Sequence, residues 1–460
     1  MLYPDTIITK VLNAREKRAE LRNKFANNRQ ATISLTFNIP GYPKHNKLTD
    51  EAYQIVLDDL KRYLYANRIF IDTDNSVKLT DNAGHIFIAS LPRNINLVSV
   101  KAITEQFEIQ HPLNRIIDVD IFNEKAKPVS SLKQKSCIIC KNKPAVECMR
   151  LGNHSYLELQ TVTFRKINDF VNEQKRNHLI AEIEVAANRA LLYEVSLTPK
   201  PGLVSQISSG AHSDMNYYTF LNSASVLAVF WREFAKAGFD FNGDISEALP
   251  QIREIGIKAE QAMYQATSGI NTHKGLIFIF GVSIFSTAFL LKTNNELNQT
   301  IIQETIKRIC LNIVEEELAS SESLKTHGEK TYKKYGMQGA GVRLEAQNGF
   351  PIVFNLITEF LKEKLKQETF YDQNLLNEIL LDALLRIMSC LNDSNIIYRA
   401  GLEKLNYLKQ LASSIVKGEK EYSVIHEYCL KENISPGGSA DMLAVALFFT
   451  FLNHKKIIAL

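Results

Sequence analysis

At 460 residues, the chain is longer than the length at which single hydrophobic cores stop growing, so two or three domains are expected. Its 45% hydrophobic and 23% charged residues exclude a disordered or fibrous chain and fit an ordinary soluble globular protein. The net charge of +4 is uneven, because residues 1–172 hold 25 Lys+Arg and 18 Asp+Glu, whereas residues 173–460 hold 29 and 32. A basic first part suits an anionic partner such as a polyphosphate, a nucleic acid or an acidic protein, and a lysine-rich surface with no partner is the alternative.

The first part of the chain mixes the patterns of helices and strands. Helical spacing of apolar residues and runs of β-branched residues predict helices at 7–27, 49–67 and 97–107 and strands at 31–41, 85–91 and 115–122. Thr49 and Asp50 are expected to cap the second of these helices. Residues 1–172 are therefore predicted to form a mixed α+β domain.

Strand patterns almost vanish in the second part of the chain. Apolar residues recur at helical spacing in 178–195, 216–238, 248–268, 275–292, 299–318, 350–365, 374–391, 400–416 and 440–453. We predict an all-α helical-bundle domain over residues 173–460. A linker is expected at residues 175–178, and a helix that runs through it is the alternative.

One segment is apolar enough to be compared with a membrane span. Residues 276–291 number only 16, fewer than the ~20 that a bilayer requires, and they include serine and threonine. A buried central helix is therefore expected. The first 18 residues lack the apolar core and cleavage site of a signal peptide. We expect a cytoplasmic protein with no membrane partner.

Two carboxylates in the last predicted strand of the first part are a candidate metal site. Asp118 and Asp120 are two residues apart, so their side chains share one face of the strand while the intervening apolar residues face a core. Two such carboxylates can hold Mg²⁺, which takes oxygen ligands and keeps open positions for substrate phosphates. The alternative is a solvated strand face. The neighbouring Arg115, and the polar loop from Asn38 to Lys44 that follows another strand, favour a substrate site.

The cysteines divide into two groups. Cys310, Cys390 and Cys429 occur singly in helical patterns, where small core residues are expected. Cys137, Cys140 and Cys148 form a cluster, and five residues separate its end from His154. These four side chains could supply the ligands of a structural Zn²⁺ ion, although the spacing is not that of a standard finger. Reduced thiols that hold a small loop are the alternative.

Two loops of the second part have the composition of phosphate-binding turns. In TPKPG at 198–202 the prolines are expected to hold Lys200 outward while the glycine permits close approach of a ligand. SPGGSAD at 435–441 precedes the last apolar helix, and the exposed N–H groups of a helix start bind phosphate. We therefore take Gly437, Gly438 and Ser439 as substrate-binding candidates, with Ser439 as a possible helix cap. Asp441 could serve a bridging Mg²⁺ ion.

Three polar pairs lie beside glycine turns between apolar helices. They are His212 with Asp214, His273 with Lys274, and Arg343 with Glu345. A lone histidine or glutamate is usually a satisfied structural residue. Three such pairs in one helical domain indicate an assembled pocket.

The first part resembles the apo-citrate lyase phosphoribosyl-dephospho-CoA transferases, also called holo-citrate lyase synthases. The resemblance covers residues 5–165 and lies in AREKR at 14–18, SLTFNIPG at 34–41, HPLNRIIDVDIF at 111–122 and CIICKNKPAVECMRLGNH at 137–154. It implies a nucleotidyltransferase-like reaction in which a serine of the citrate lyase acyl carrier (gamma) subunit attacks the phosphate nearest the ribose and pyrophosphate leaves. The interpretation of Asp118 and Asp120 as magnesium ligands fits this reaction, with Arg115 and Lys44 as candidates for neutralising the triphosphate and Asn38 as a further substrate-binding candidate.

The second part resembles the triphosphoribosyl-dephospho-CoA synthases over residues 180–455. The motifs TPKPGLV, GAH-x-DM, GINTHKG, R-x-EA-x-x-GFP, NDSN and SPGGSAD occur in the family's order. The resemblance implies that ATP and 3′-dephospho-CoA are joined with release of adenine. Ser205 and Asn216 stand where the family usually has aspartate.

That reaction needs positive charge around the triphosphate, a base for the attacking hydroxyl and a proton for departing adenine. We assign Lys200, Lys274 and Arg343 to phosphates, and the carboxylates Asp214, Glu345 and Asp441 to magnesium or base roles. His212 and His273 are acid–base candidates.

The motifs together predict a bifunctional transferase with ATP and 3′-dephospho-CoA as substrates, Mg²⁺ as a cofactor and the apo acyl carrier subunit of citrate lyase as a partner. Two alternatives stay open. One is the equivalent prosthetic-group synthesis for malonate decarboxylase. The other is a non-catalytic nucleotide-binding regulatory protein, which Ser205 and Asn216 would favour if they mark lost metal binding. A nucleic-acid partner is not expected, because few aromatic residues interleave the basic ones.

Overall fold

The computed structural model describes residues 5–130, 135–293, 297–319 and 327–459. The chain divides into two compact units, residues 1–175 and residues 176–460. Each unit is described by itself below.

The first unit contains a four-stranded antiparallel sheet. Its strands are β1 (Thr32–Phe37), β2 (Asp72–Asp81), β3 (Gly84–Ser90) and β4 (Ile117–Phe122). Their order in the sheet is β2-β3-β1-β4, so β1 is central and β4 lies at an edge. The sequence pattern did not indicate β2, because DTDNSVKLTD contains only two aliphatic residues and most of the strand is solvent-accessible. The α+β class of this unit is confirmed.

Five helices accompany the sheet: α1 (Asp5–Asn27), α2 (Lys47–Ala66), α3 (Leu97–Gln110), α4 (Ala145–Arg150) and α5 (Tyr156–Ser196). The main core lies on one face of the sheet, where buried residues of α2, α3 and α5 such as Tyr53, Phe107 and Ile167 pack together. On the other face, Phe25 of α1 packs against Ile86 and Ile88 of β3. The sheet is therefore covered on both faces, and α1 lies over the face that carries the candidate carboxylates.

The second helix begins two residues earlier than its sequence pattern indicates. Asn46 is its N-cap, and the Asn46 side chain accepts a hydrogen bond from the Thr49 backbone N–H while the Thr49 hydroxyl accepts one from the Asn46 N–H. The expectation that Thr49 and Asp50 cap this helix is therefore wrong. Thr49 is instead the reciprocal partner in a capping box.

The second unit is helical. Its helices after α5 are α6 (Tyr217–Asp240), α7 (Leu249–Ala266), α8 (Lys274–Thr293), α9 (Gln299–Ile309), α10 (His327–Tyr335), α11 (Val342–Gln347), α12 (Thr358–Lys364), α13 (Gln373–Cys390), α14 (Ser394–Ala400), α15 (Leu402–Val416), α16 (Tyr422–Lys431) and α17 (Gly437–His454). Short 3₁₀ or π turns cover Asn114–Ile116 in the first unit and Ile245–Glu247, Glu315–Ala319, Gly336–Gly339, Val353–Ile357 and Gln367–Tyr371 in the second. Residues 175–178 lie within α5, so a helix runs through the expected linker, and the division into two units falls at its first residue.

Helices α8 and α17 form the interior of the second unit. In α17, every residue from Met442 to Leu452 is buried. Among the described residues, only Lys274–Lys292 is long and apolar enough to cross a membrane, and 72% of this stretch is buried inside the protein. Its hydroxyl groups are satisfied within the helix, since Ser283 donates to the Ile279 carbonyl at 2.7 Å and Thr287 to the Ser283 carbonyl at 2.8 Å. A helix that is apolar all round belongs in the core, as the sequence predicts.

Candidate active sites

Asp118 and Asp120 share one face of β4 in the first unit. Burial alternates along the strand, with Ile117, Val119 and Ile121 fully buried and the two aspartates partly exposed. The β4–β1 register places Asp118 opposite Thr36 and Asp120 opposite Ser34. The polar side chains of two neighbouring strands therefore lie together on this face of the sheet.

Two lysines and a glutamate surround these carboxylates. The Lys135 Nζ lies 2.5 Å from an Asp118 oxygen and 3.0 Å from a Glu108 oxygen. The Lys101 Nζ lies 4.0 Å from Asp120 and donates to the Val119 carbonyl at 2.8 Å. Because β4 is an edge strand, the outward N–H and C=O groups of Val119 need partners outside the sheet. Lys101 donates to the carbonyl, and the Glu108 carboxylate accepts from the N–H at 2.6 Å.

The sequence reading missed Lys101, Glu108 and Lys135. A signal for the first two exists, since residues seven apart on a helix lie on one face. No local pattern connects α3 with the edge of β4, however, because that contact depends on where the helix crosses the sheet.

The two aspartates of this face offer carboxylate oxygens whose charges repel each other. Burial raises the pKa of Asp120, and the negative charge of Asp118 raises it further. Burial lowers the pKa of Arg115, because it disfavours the charged form of a base as it does that of an acid. The Arg115 Nε donates to the Ser136 carbonyl at 2.5 Å. Two carboxylates that repel each other and lie beside accessible surface can serve as oxygen ligands of Mg²⁺.

An open cleft of about 1410 Å³ lies beside this face. Its lining includes the predicted residues Asn38 and Arg115 together with Lys135. The predicted Lys44 is directed into its own loop, where its Nζ donates to the Ile39 carbonyl at 2.6 Å. Burial lowers the pKa of Lys44, and the charge of Arg15 lowers it further. A phosphate would therefore have to displace Lys44 from the loop backbone.

The cysteine cluster forms another part of the same cleft. One ligand atom each from Cys137, Cys140, Cys148 and His154 can be chosen so that all lie within 4.8 Å of one another. All three cysteines are free thiols, and the Cys140 and Cys148 sulfurs are 3.4 Å apart. The four residues that the sequence spacing singled out are therefore close in space.

In the second unit, Lys200 is buried rather than outward. It is 3% exposed, and its Nζ lies 2.9 Å from a Glu194 carboxylate oxygen and 3.0 Å from the Glu194 carbonyl. The expectation that the flanking prolines hold this lysine outward is wrong. The helix that precedes the loop supplies an internal partner six residues earlier, and a buried charge needs such a partner.

His212 lies between a serine and a carboxylate. Its Nε2 is 2.8 Å from the Ser435 hydroxyl, and its Nδ1 is 3.6 Å from an Asp214 oxygen. Burial lowers the pKa of His212, and the charge of Arg399 lowers it further. The ring is therefore neutral at pH 7 and can accept a proton. Ser435, which the sequence reading did not single out, joins the loop after α5 to the start of α17.

His273 is fully buried and neutral. Burial, followed by the charge of Lys200, lowers its pKa to about 3. Its Nδ1 is 2.7 Å from the Ser223 hydroxyl, to which the Thr272 hydroxyl donates at 2.8 Å. Its Nε2 is buried with no hydrogen-bond partner among the described residues. A ring with this pKa is a hydrogen-bonding group rather than a cationic acid at pH 7.

A group of carboxylates surrounds the start of α17. Burial raises the pKa of Asp441 well above its usual value, and the charges of Glu194 and Asp393 raise it further. Asp441 is partly exposed, whereas Glu194 and Asp393 are buried. A Cβ atom at Gly275 would lie 2.5 Å from an Asp441 oxygen, so the GINTHKG and SPGGSAD motifs touch where only glycine fits.

The N-terminus of α17 is already occupied by a carboxylate of the same chain. The Ser439 N–H and hydroxyl both donate to one Asp393 oxygen, at 2.9 and 3.2 Å. The expectation that Ser439 caps the helix is wrong, since the N-cap is Pro436 and Ser439 lies within the first turn. Gly437 and Gly438 lie beside Asn395 and Asp393, and an added Cβ atom would be 3.0 to 3.1 Å from them.

Lys274 and Arg343 are each paired with a glutamate. The Lys274 Nζ lies 2.9 Å from a Glu260 oxygen, and the Arg343 Nε lies 3.0 Å from a Glu317 oxygen. Burial lowers the pKa of Arg343, while the charges of Glu329 and Glu260 raise it. Because Glu260 acts on both cations, the structure brings Lys274 and Arg343 into one region.

Three other predicted positions have local structural partners. Glu345 accepts a hydrogen bond from the Ile352 N–H at 3.1 Å, and burial raises its pKa. Asn216 is the N-cap of α6 and forms a capping box with Thr219. The Ser205 N–H donates to the Ser208 carbonyl at 2.7 Å inside its loop. The Asn216 side chain thus has a structural role as a cap, which an aspartate could also fill.

Comparisons with known proteins agree with this division. Residues 180–458 match the family of CitG proteins, described as ATP:dephospho-CoA triphosphoribosyl transferase. Residues 6–170 match the family of CitX proteins, described as apo-citrate lyase phosphoribosyl-dephospho-CoA transferase. Each match covers most of one unit.

Individual relatives cover the whole chain or its second unit. The chain is 30% identical over 478 residues to "Protein CitXG" of Leuconostoc mesenteroides subsp. cremoris, with 97% of each chain covered. It is 31% identical over 465 residues to "Protein CitXG" of Haemophilus influenzae, with 95% of each covered. A "Probable 2-(5''-triphosphoribosyl)-3'-dephosphocoenzyme-A synthase" of Photobacterium profundum is 37% identical over 275 residues, which are 58% of this chain and 85% of that protein.

The matches cover both units, and the fused relatives have the same arrangement. The chain therefore belongs to the CitXG family, and it is a bifunctional transferase that makes the triphosphoribosyl-dephospho-CoA precursor and transfers the citrate lyase prosthetic group.

Proposed function

We propose that the two reactions are divided between the units, with transfer carried out by residues 1–172 and synthesis by residues 173–460. Support comes from the two separate groups of carboxylates and cations, one on β4 and one at the start of α17. In each group the charged residues are held by elements of a single unit. The family matches also change between residues 170 and 180.

In the synthesis step, a ribose hydroxyl of 3′-dephospho-CoA displaces adenine from the ribose carbon of ATP. His212 is the candidate general base, because its ring is neutral and partly accessible. Asp214 lies near the other ring nitrogen and would stabilise the cation that forms on proton uptake. His273 would position substrate through its unpaired Nε2 without changing charge.

Lys274 and Arg343 would hold the triphosphate of ATP in exchange for their glutamate partners. Asp441 fits Mg²⁺ as a carboxylate ligand, because burial and the negative charges of the nearby Glu194 and Asp393 raise its pKa and a bound cation would offset these charges. Bound there, magnesium would neutralise part of the triphosphate charge. The Asp214 side chain is 61% exposed, so Asp214 is a less favourable magnesium ligand than Asp441.

In the transfer step, a serine hydroxyl of the carrier attacks the phosphate nearest the ribose, and pyrophosphate leaves. Asp118 and Asp120 fit Mg²⁺, which would supply charge stabilisation for the entering and leaving oxygens. Lys135, Lys101 and Arg115 border the same face and would hold the phosphates. The seven excess positive charges of residues 1–172 suit an acidic carrier, which we propose to be the apo acyl carrier subunit of citrate lyase.

The test follows both products in one chain. Purified protein is incubated with ATP, magnesium and 3′-dephospho-CoA, and free adenine and the mass of the nucleotide product are measured. Apo carrier protein is then added, and pyrophosphate release and the carrier mass are followed. Adenine and a triphosphoribosyl adduct, followed by a modified carrier, are expected. Untouched ATP would contradict the synthase assignment, and an unmodified carrier in the presence of the adduct would contradict the transferase assignment.

A further inference from the structure

The segment between β4 and α5 buries few apolar side chains. In the described residues from 135 to 155, the only fully buried side chains are the thiols of Cys137 and Cys148. The large apolar side chains Val146, Met149 and Leu151 are more than half exposed. A segment of this size that buries so little apolar surface needs another source of stability.

The backbone of this segment folds back around the first two cysteines. Ser136 and Pro144 form an isolated antiparallel bridge, and the Cys137 N–H donates to the Lys143 carbonyl at 2.8 Å. The Lys141 N–H donates to the Cys137 carbonyl at 3.2 Å, which closes a tight turn between the first two cysteines. This turn brings the Cys137 and Cys140 sulfurs close together, as two ligands of one ion require.

The other two side chains complete the cluster from helical elements. Cys148 lies in α4, and His154 lies just before α5. The Nε2 of His154 is buried and has no hydrogen-bond partner among the described residues. Buried ring nitrogens without a hydrogen-bond partner are rare. A metal ion that binds this nitrogen together with the three neighbouring sulfurs would supply the missing partner.

The distances suit a single tetrahedral ion rather than a disulfide. With zinc–sulfur bonds of about 2.3 Å, sulfurs around one ion are about 3.8 Å apart. The Cys140–Cys148 separation of 3.4 Å and the limit of 4.8 Å for the whole set bracket that value. A disulfide requires about 2.05 Å.

We propose that Cys137, Cys140, Cys148 and His154 bind one structural Zn²⁺ ion, which fixes the segment that supplies Lys135 and Ser136 to the transferase site. Lys135 contacts Asp118 and Glu108, and the Ser136 carbonyl accepts from Arg115. Both residues immediately precede the first ligand. Zinc would thus position the cations of the transferase site without touching substrate, and four filled ligand positions leave no open site for catalysis.

The first experiment measures metal content in the full-length chain purified without added metal. Inductively coupled plasma mass spectrometry is expected to find about one zinc per chain in the wild type and much less in Cys140→Ser. Cys390→Ser is the matched control, because Cys390 is an exposed thiol outside the cluster. A wild-type chain without zinc, a chain with iron instead, or equal zinc in Cys140→Ser would overturn the proposal.

Cobalt substitution tests the ligand set by spectroscopy. Co²⁺ added to the metal-free chain is expected to give thiolate-to-cobalt charge-transfer absorption in the wild type and in Cys390→Ser. Cys140→Ser should weaken this absorption. Absence of the thiolate band in the wild type would exclude cysteine ligation, and the proposal with it.

The positioning role is tested by removing zinc, and only this part rests on the proposed transferase function. In zinc-free protein from which the chelator has been removed and to which magnesium is supplied, carrier modification should fall at least about tenfold, whereas adenine release should stay within about twofold. Readdition of zinc should restore transfer. If zinc is bound but its removal leaves transfer unchanged, the positioning role is wrong and the metal site stands. If transfer is absent even with zinc bound, the proposed transferase function fails instead.

Discussion

The two units hold their charged residues in different surroundings. In the first unit, Lys135 and its carboxylate partners lie beside an open cleft, and the Lys135 side chain is 37% exposed. In the second unit, Lys200 and Glu194 are 3% and 4% exposed. An ion pair beside water can exchange its partner for a substrate phosphate at little cost. A buried pair cannot, since a charge left alone in the interior is strongly unfavourable.

This difference separates substrate-binding cations from structural ones. Lys135, Lys274 and Arg343 are at least partly accessible and are candidates for phosphate contact. Lys200 belongs to the family motif, and its position ties the loop after α5 to the helix itself. Its charge still acts on its neighbours, because it lowers the pKa of His273.

The largest expected effect is on the stability of the second unit. Lys200→Met should lower the free energy of unfolding by about 3–5 kcal/mol, because Glu194 is left buried without its cation. Lys175→Met in the exposed pair with Glu51 should cost less than about 1 kcal/mol. Urea unfolding followed by circular dichroism measures both.

A double variant supplies the control for this prediction. Lys200→Met combined with Glu194→Leu removes both charges and should recover most of the lost stability. A cost below about 1 kcal/mol for Lys200→Met alone would show that the pair is solvated, and the contrast between the units would then be lost.

Activity should separate in the same way as the structure. Asp118→Asn is expected to lower carrier modification by about 100-fold, or 2.7 kcal/mol, and to leave adenine release unchanged. Asp441→Asn is expected to lower adenine release by a similar factor and to leave transfer from supplied triphosphoribosyl-dephospho-CoA unchanged. Adenine and pyrophosphate are measured for each variant.

Asp74→Asn is the matched control, because Asp74 is an exposed aspartate on β2, the edge strand at the other end of the sheet from β4. It should leave both activities at the wild-type level. Equal loss of both activities in either site variant would mean that the two steps do not use separate residues.

The smallest expected effects concern a capping device that both units share. Asn46 and Asn216 each cap a helix through a threonine three residues later. Replacement of either by alanine should cost about 1 kcal/mol. Asn216→Asp keeps the cap, so stability and adenine release should stay near wild type. A marked rise in magnesium-dependent adenine release in Asn216→Asp would instead show that the amide had weakened a metal site.

The sequence predicted features that depend on local periodicity. The two-residue spacing of Asp118 and Asp120 is enough to place them on one face, and burial alternates along β4 as expected. Helical spacing found most helices of the second unit. It did not indicate α16, a short helix of ten residues in which only Ile425 and Cys429 are fully buried.

Features that depend on long-range packing could not be predicted. Glu108 reaches the edge of β4 because α3 crosses the sheet there, and Lys135 joins Glu108 to Asp118 from the segment after β4. Ser435 meets His212 across 223 residues of sequence. The sequence predicts an outward Lys200 because the flanking prolines constrain only the loop backbone. They give no information about Glu194, its partner on the preceding helix. The sequence predicts close approach of a ligand at Gly202, whereas the atoms that an added Cβ would meet there belong to Ile434 and Cys429. The neighbours of such glycines, like Asp441 at Gly275, are set by the fold.

The carboxylate of Asp393 has a consequence for how this protein can change in evolution. One of its oxygens accepts the Asn395 N–H at the start of α14, and the other accepts the Ser439 N–H and hydroxyl at the start of α17. A single replacement at position 393 therefore removes hydrogen bonds from the N-termini of both α14 and α17. We expect positions 393 and 439 to vary together among related sequences, with the hydroxyl at 439 lost wherever the acid at 393 is lost.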